Sequence, residues 1–284
     1  MDIKKKLDKT LALLDIAAET AHDPVSFPRR FLALGRSRQE IEAVAFFSAA
    51  LAYGSVDQFM PVIARVLAAS DDRFLDLIMN RLSIPVWPGY RLSTNREIAA
   101  LARGIGRVIE RRGGLWESFA AGWKPDENIH SGLASLRSDL ARETEEALGE
   151  PLTQGARHLL PDPSLGGCVK RLCIFLRWVA RPDDGVDLGI WREIPGAALV
   201  VPLDRHIARL SRNLGLLTRR TDDWKAAVEI TDALRRFDPV DPLRYDFALC
   251  HLGISKSCTH GRNPDDCRSC GLAGLCLQGN SAKR

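Results

Sequence analysis

The stretch VPLDRHIARLSRNLGL, residues 201–216, decides how this chain is read. Asp204 stands immediately ahead of a segment whose apolar residues Ile207, Leu210 and Leu214 recur at the spacing of one helical face. An aspartate there supplies the side-chain oxygen that the first backbone N–H groups of a helix lack. Arg205, Arg209 and Arg212 fall on another side, and residues 205–220 contain five arginines and no acid. Taken alone, this is an N-capped amphipathic helix with a solvated basic face.

The same period holds outward in both directions. Two helices are predicted between residues 39 and 69, separated by Gly54 and Ser55. A third runs over 95–111 and stops at Gly113 and Gly114. A polar helix ends near 148, a short one covers 151–160, and the turn-forming PDPSLGG follows at 161–167. An apolar helix over 167–180 carries Lys170, Arg171 and Arg177, and helices at 205–214, 223–236 and 241–252 complete the set. No segment alternates with period two, so the fold class is all-α.

Composition narrows the function classes. The chain has 284 residues, 45% of them hydrophobic, enough for one large core or two smaller ones. Its net charge is only +4, so a nucleic-acid surface must come from local clustering. Residues 1–15, MDIKKKLDKTLALLD, read as an amphipathic helix without the apolar core of a leader. No apolar run approaches the ~18 residues of a membrane span. A soluble, monomeric, cytoplasmic protein is expected, associated with the nucleoid in a bacterium.

Cysteine usage is uneven. Cys168, Cys173 and Cys250 lie among apolar neighbours and read as buried hydrophobes. The other four form Cys258-x8-Cys267-x2-Cys270-x5-Cys276 in a polar segment too short for its own core. Four thiolates in one loop can surround a single metal centre. A zinc site usually shows two close pairs, and one close pair here favours a 4Fe–4S cluster over one Zn2+.

The cysteine tail resembles the iron–sulfur loop of endonuclease III and the adenine-mismatch glycosylases, whose intervals are six, two and five. The last two match, and the first is two residues longer. Between the first pair lies THGRNPDD, offering Arg262 to DNA beside Asp265 and Asp266. Residues 201–216 resemble the V-D-T-H-I/V-x-R-V/L-x-x-R-L-G-L signature of the helix-hairpin-helix DNA glycosylase superfamily. Asp204, His206, Arg209, Leu214 and Gly215 fall on its positions, with Arg205 in place of Thr. The superfamily's hairpin, L-P-G-V-G-x-K, is matched by residues 160–170, with Gly166 four before Lys170 and a turn about four residues longer. That length resembles the archaeal 8-oxoguanine glycosylase branch. The core is also similar to a bacterial family reading K-R-x-x-x-F-x-R-W, then D-G-V-D-x-G-x-W, then P-L-D-x-H, here at 170–178, 184–191 and 202–206.

The resemblance implies two helical lobes around a cleft for damaged double-stranded DNA. Its division is an N-terminal helix at 1–35, a central bundle at 36–150, a hairpin and catalytic lobe at 151–256, and the cluster loop at 257–284. It further implies a glycosylase with lyase activity: Lys170 attacks C1′ of an extruded nucleotide, and Asp204 takes its proton or stabilises the developing positive charge. Gly166, Gly167, Arg171, Arg205, His206, Arg209 and Arg262 are the expected DNA contacts. An apolar helix, with Arg171 alongside, is expected to lower the Lys170 pKa. An oxidised purine, 8-oxoguanine first, is the expected lesion; an oxidised pyrimidine, or a non-catalytic DNA-binding role, is the alternative. Phe46, Tyr53, Trp87, Tyr90 and Arg91 are candidates for the base pocket, whereas Trp178 and Trp191 read as core.

Overall fold

The computed structural model describes residues 3–13, 15–84, 86–247, 249, 250, 265, 272 and 275–277. These form α1 (Ile3–Ala12), α2 (Ile16–Ala21), α3 (Ser26–Ala33), α4 (Arg38–Leu51), α5 (Val56–Ala69), α6 (Phe74–Ile78) and α7 (Asn95–Arg112). Then come α8 (Leu115–Trp123), α9 (Ile129–Leu148), α10 (Gln154–Leu159), α11 (Lys170–Ala180), α12 (Arg205–Asn213) and α13 (Trp224–Arg235). Among the described residues there is no strand, only isolated bridges at Tyr90–Ser93 and Gly167–Asp223. The protein is all-α, and no described helix is long and apolar enough to cross a membrane.

The chain divides into two compact units. The larger holds residues 16–165 and 174–194; the smaller holds 1–15, 166–173 and 195–284. Residues 16–35 therefore group with α4–α9 rather than with α1, and one boundary falls inside α11, after Cys173.

In the larger unit α9 packs along α7 and α8, and α4 is buried along nearly its whole length. Such a helix must satisfy any polar group it carries. Glu42, 1% exposed, does so by accepting from the Trp191 indole Nε1 at 2.7 Å, the Leu115 backbone N–H at 2.8 Å and Arg38 Nε at 3.0 Å. Around it Phe46, Phe175, Trp116, Phe119 and Trp191 interlock, edge to face or tilted except for the stacked Trp116–Phe119 pair. Asp187, wholly buried, accepts from Arg181 Nη1 at 2.7 Å and Arg177 Nε at 3.2 Å. The D-G-V-D segment is thus an internal anchor for α11. Trp178 and Trp191 are core residues, 3% and 0% exposed.

Four helices, α2, α3, α6 and α8, escape the sequence pattern. LWESFAAGW, α8, is buried at most positions, so it shows no polar face, and it carries Gly122 within it. FLDLI, α6, is too short to display a period.

Candidate active site

The site lies in the smaller unit and begins with two chain segments drawn side by side. The Cys168 thiol donates to the Leu203 carbonyl at 3.4 Å, which sets residue 168 beside residue 203. Gly167 bridges to Asp223, and the Trp224 N–H donates to the Gly166 carbonyl at 3.1 Å. Gly166 takes φ +74, a left-handed turn that only glycine adopts cheaply. The chain then enters α11 with Lys170 as its first residue.

Opposite it, Asp204 is the N-cap of α12, with extended backbone and Oδ1 accepting from the N–H groups of His206 and Ile207, each at 2.9 Å. Its other oxygen, Oδ2, is 2.8 Å from Lys170 Nζ. The lysine side chain is 35% exposed and the aspartate 18%. The pair is therefore partly sheltered yet open to an incoming group.

The protonation state departs from the sequence expectation. Burial pulls the Lys170 pKa down, as an apolar helix should, but the Asp204 carboxylate in direct contact more than reverses it, and the net shift is upward. Burial likewise favours neutral Asp204, and Lys170 outweighs it, so the carboxyl is held below its ordinary range. The resting site is an ammonium–carboxylate pair. A nucleophilic amine arises only by moving a proton along the 2.8 Å hydrogen bond to Oδ2, or to a base supplied with the substrate.

Two further groups act on Lys170 electrostatically: Asp246, 3% exposed, and Cys250. Sequence reasoning missed Asp246, whose signal was one acid inside the apolar run YDFALC. Its neighbour Tyr245 is fixed by donating to Asp8 Oδ1 on α1 at 2.9 Å. Cys168 and Cys173 both have their thiol pKa raised by burial, so they are neutral fillers, not nucleophiles.

The basic face of α12 is shared between two tasks. Arg212 is spent on the following loop, donating to the carbonyls of Arg219 at 2.8 Å and Arg220 at 2.9 Å. Arg205 and His206 are exposed, and the half-buried Arg209 lies 3.4 Å from His206 Nδ1. Arg171 is half-buried beside Lys170 in sequence. Cys258, Cys267, Cys270 and Arg262 lie outside the described residues. Cys276 is half-buried, four residues after the buried Leu272, whose carbonyl accepts its N–H at 3.3 Å.

The five base-pocket candidates all belong to the larger unit, and they differ in kind. Phe46 is 1% exposed with its ring centroid 5.1 Å from that of Phe175, so it is a core residue. Tyr53 donates to the Tyr90 carbonyl at 2.7 Å, and Tyr90 donates to the Tyr53 carbonyl at 2.5 Å. This reciprocal pair braces a tight turn closed by Tyr90 and Ser93, with Arg91 exposed at φ +49. Trp87 lines a cavity of about 360 Å³.

An all-α chain with a capped helix whose aspartate also grips a lysine is the class that fold and site define. Residues 23–255 match the family model described as "Protein of unknown function (DUF2400)", and the chain belongs to that family. No curated protein and no solved structure matches it.

Proposed function

We propose that this protein is a DNA base-excision glycosylase with lyase activity. The observation that carries the reading is Lys170 Nζ at 2.8 Å from Asp204 Oδ2, with Asp204 fixed as a helix cap. A nucleophile needs a positioned proton acceptor, and an acceptor immobilised by two backbone N–H bonds costs little reorganisation. Once Lys170 gives up its proton, its lone pair forms a bond to C1′ of a flipped-out nucleotide. The glycosidic bond breaks, and the base leaves with the bonding pair and a proton. Opening of the sugar ring at C1′ then yields a protonated imine between Lys170 and the sugar. Loss of a C2′ proton from that imine expels the 3′ phosphate, which is the lyase step. The exposed residues Arg205 and His206, with the backbone N–H groups after Gly166, are suited to phosphate.

8-Oxoguanine is the first choice of lesion, on the resemblance of the long hairpin, and an oxidised pyrimidine the second. Damaged double-stranded DNA is the partner. The four C-terminal thiols are a donor set suited to a 4Fe–4S cluster, with Cys258, Cys267, Cys270 and Cys276 as ligands; such a cluster would hold the tail together. Iron with inorganic sulfide in the purified protein supports this, and stoichiometric zinc supports the alternative.

The test is borohydride trapping on duplexes containing one 8-oxoguanine, one thymine glycol or one abasic site. A covalent adduct that Lys170→Gln abolishes supports the reading, and the duplex that gives it names the lesion. No adduct on any duplex, from folded protein, overturns it in favour of a non-catalytic DNA binder.

A further inference from the structure

We infer that the cavity between the end of α6 and the face of α7 is a nucleotide-binding site, taking the base against Trp87 and the phosphate between Arg81 and Arg103. The inference does not depend on the glycosylase reading, because the cavity belongs to the larger unit and, apart from the base-pocket candidate Trp87, uses none of the residues assigned to that chemistry. Its volume, about 360 Å³, lies within the range of small-molecule sites. Leu77, 3% exposed, contributes an apolar wall, and the half-buried Trp87 indole is the aromatic one. Aromatic faces stack any nucleobase, a sequence-tolerant contact worth about 1–3 kcal/mol.

The charged groups are of one kind. Arg81 and Arg103 both line the cavity, and no carboxylate does. Arg81 is 65% exposed, its nearest acid being Asp76 at 3.7 Å, beyond a good hydrogen bond. Arg103, exposed on α7, has no ion-pair partner among the described residues, although most described arginines are paired. Two guanidiniums with donors to spare, one loosely paired to Asp76 outside the cavity and the other unpaired among the described residues, favour an anion, and their forked donors match phosphate. Asn80 and Ser83 add neutral groups that can both donate and accept, as a base edge requires.

The walls are built, not incidental. After α6 the chain doubles back, with Arg81 and Leu82 both donating backbone N–H to the Asp76 carbonyl at 2.8 and 3.2 Å. Asn80 is held at φ +57 in that turn. The end of α6 sits so close to α7 that a Cβ on Gly106 would lie 2.4 Å from the Ile78 carbonyl oxygen. Apolar stack, anion clamp and amide edge on one rigid frame are the three parts of a nucleotide.

The experiment is equilibrium dialysis of the full chain with deoxyadenosine 5′-monophosphate, deoxyadenosine and inorganic phosphate in parallel. A single-stranded oligonucleotide with and without a 5′ phosphate is run beside them. The monophosphate is expected to bind saturably and at least about tenfold more tightly than the nucleoside or phosphate alone. Arg103→Gln should reduce it to the nucleoside level, and Trp87→Ala to the phosphate level, with melting temperatures unchanged. Trp87→Phe, which keeps an aromatic wall, should restore part of the loss. Tighter binding of the 5′-phosphorylated strand than of the free nucleotide assigns the site to strand ends, and the reverse order assigns it to free nucleotides. Absence of saturable binding by the unaltered protein, or binding indifferent to both substitutions, overturns the inference.

Discussion

Asp204 divides its carboxylate between a helix and Lys170: Oδ1 caps α12 through the N–H groups of His206 and Ile207, and Oδ2 holds the lysine at 2.8 Å. The helix cap and the lysine contact thus fall on different oxygens of one side chain, and substitution can separate them.

Asp204→Asn retains an oxygen for the cap but loses the proton acceptor. It is expected to keep the cap, losing only the ion-pair contribution to stability, while trapping on an abasic duplex falls by orders of magnitude. Asp204→Ala removes both and should cost about 1 kcal/mol more in urea unfolding than the asparagine variant, the usual loss for an N-cap. Equal trapping by parent and Asp204→Asn would show that the carboxylate has no chemical role.

The direction of the lysine shift sets the pH behaviour. The ion pair favours the ammonium, so trapping by the parent should rise with pH from about neutral towards the ordinary lysine range. In Asp204→Asn the largest upward influence is gone and burial, which lowers a lysine pKa, is opposed only by Asp246 and Cys250, so its residual activity should reach its plateau at lower pH. For stability the signs are opposite for the two partners. Asp204, shifted down, contributes above its ordinary value and loses that contribution as pH falls through its folded pKa. Lys170, shifted up, contributes below its ordinary value and loses it as pH rises through its own. A trapping rate independent of pH over that range would sink the assignment of Lys170 as nucleophile.

Much of this was legible from residues 201–216, because capping and helical period are local: Asp204 and the apolar positions of α12 fix both with no reference to the rest of the chain. The proximity of Lys170 to Asp204 was legible only through family resemblance, since 34 residues separate them and the Cys168–Leu203 contact that aligns their segments has no sequence signature. The upward shift of the lysine was not legible at all. It depends on a carboxylate arriving from another helix, whereas the apolar run around Lys170 pointed the other way. Tyr53 and Tyr90 illustrate the same limit: aromatic residues that could face a ligand satisfy each other's backbone instead.

Asp187 carries a prediction about stability alone. Its side chain is wholly buried against Arg177 and Arg181, whose side chains are 8% exposed, and the cluster is shared with Asp184, which also pairs with Arg181. Removing one partner from a buried cluster strands the others without solvent. Asp187→Ala is expected to cost about 3–5 kcal/mol in urea unfolding. A loss under about 1 kcal/mol would mean that the two arginines reach water once the aspartate is gone.

Gly166 and Gly167 adjoin, yet the free protein explains only one of them. At Gly166 φ is +74, so an alanine there is strained by about 1–2 kcal/mol even though nothing lies within 4 Å of its Cβ. At Gly167 there is no positive φ and also nothing within 4 Å of an added Cβ, so the fold itself tolerates alanine. On the proposed function, Gly167 would let a DNA backbone approach the N–H groups that lead into α11 without a side chain in the way. Gly166→Ala should therefore lower the melting temperature, and Gly167→Ala should leave it unchanged while weakening binding to an abasic duplex several-fold in a gel shift. If Gly167→Ala binds that duplex as tightly as the parent, the turn at 166–167 is not where DNA docks.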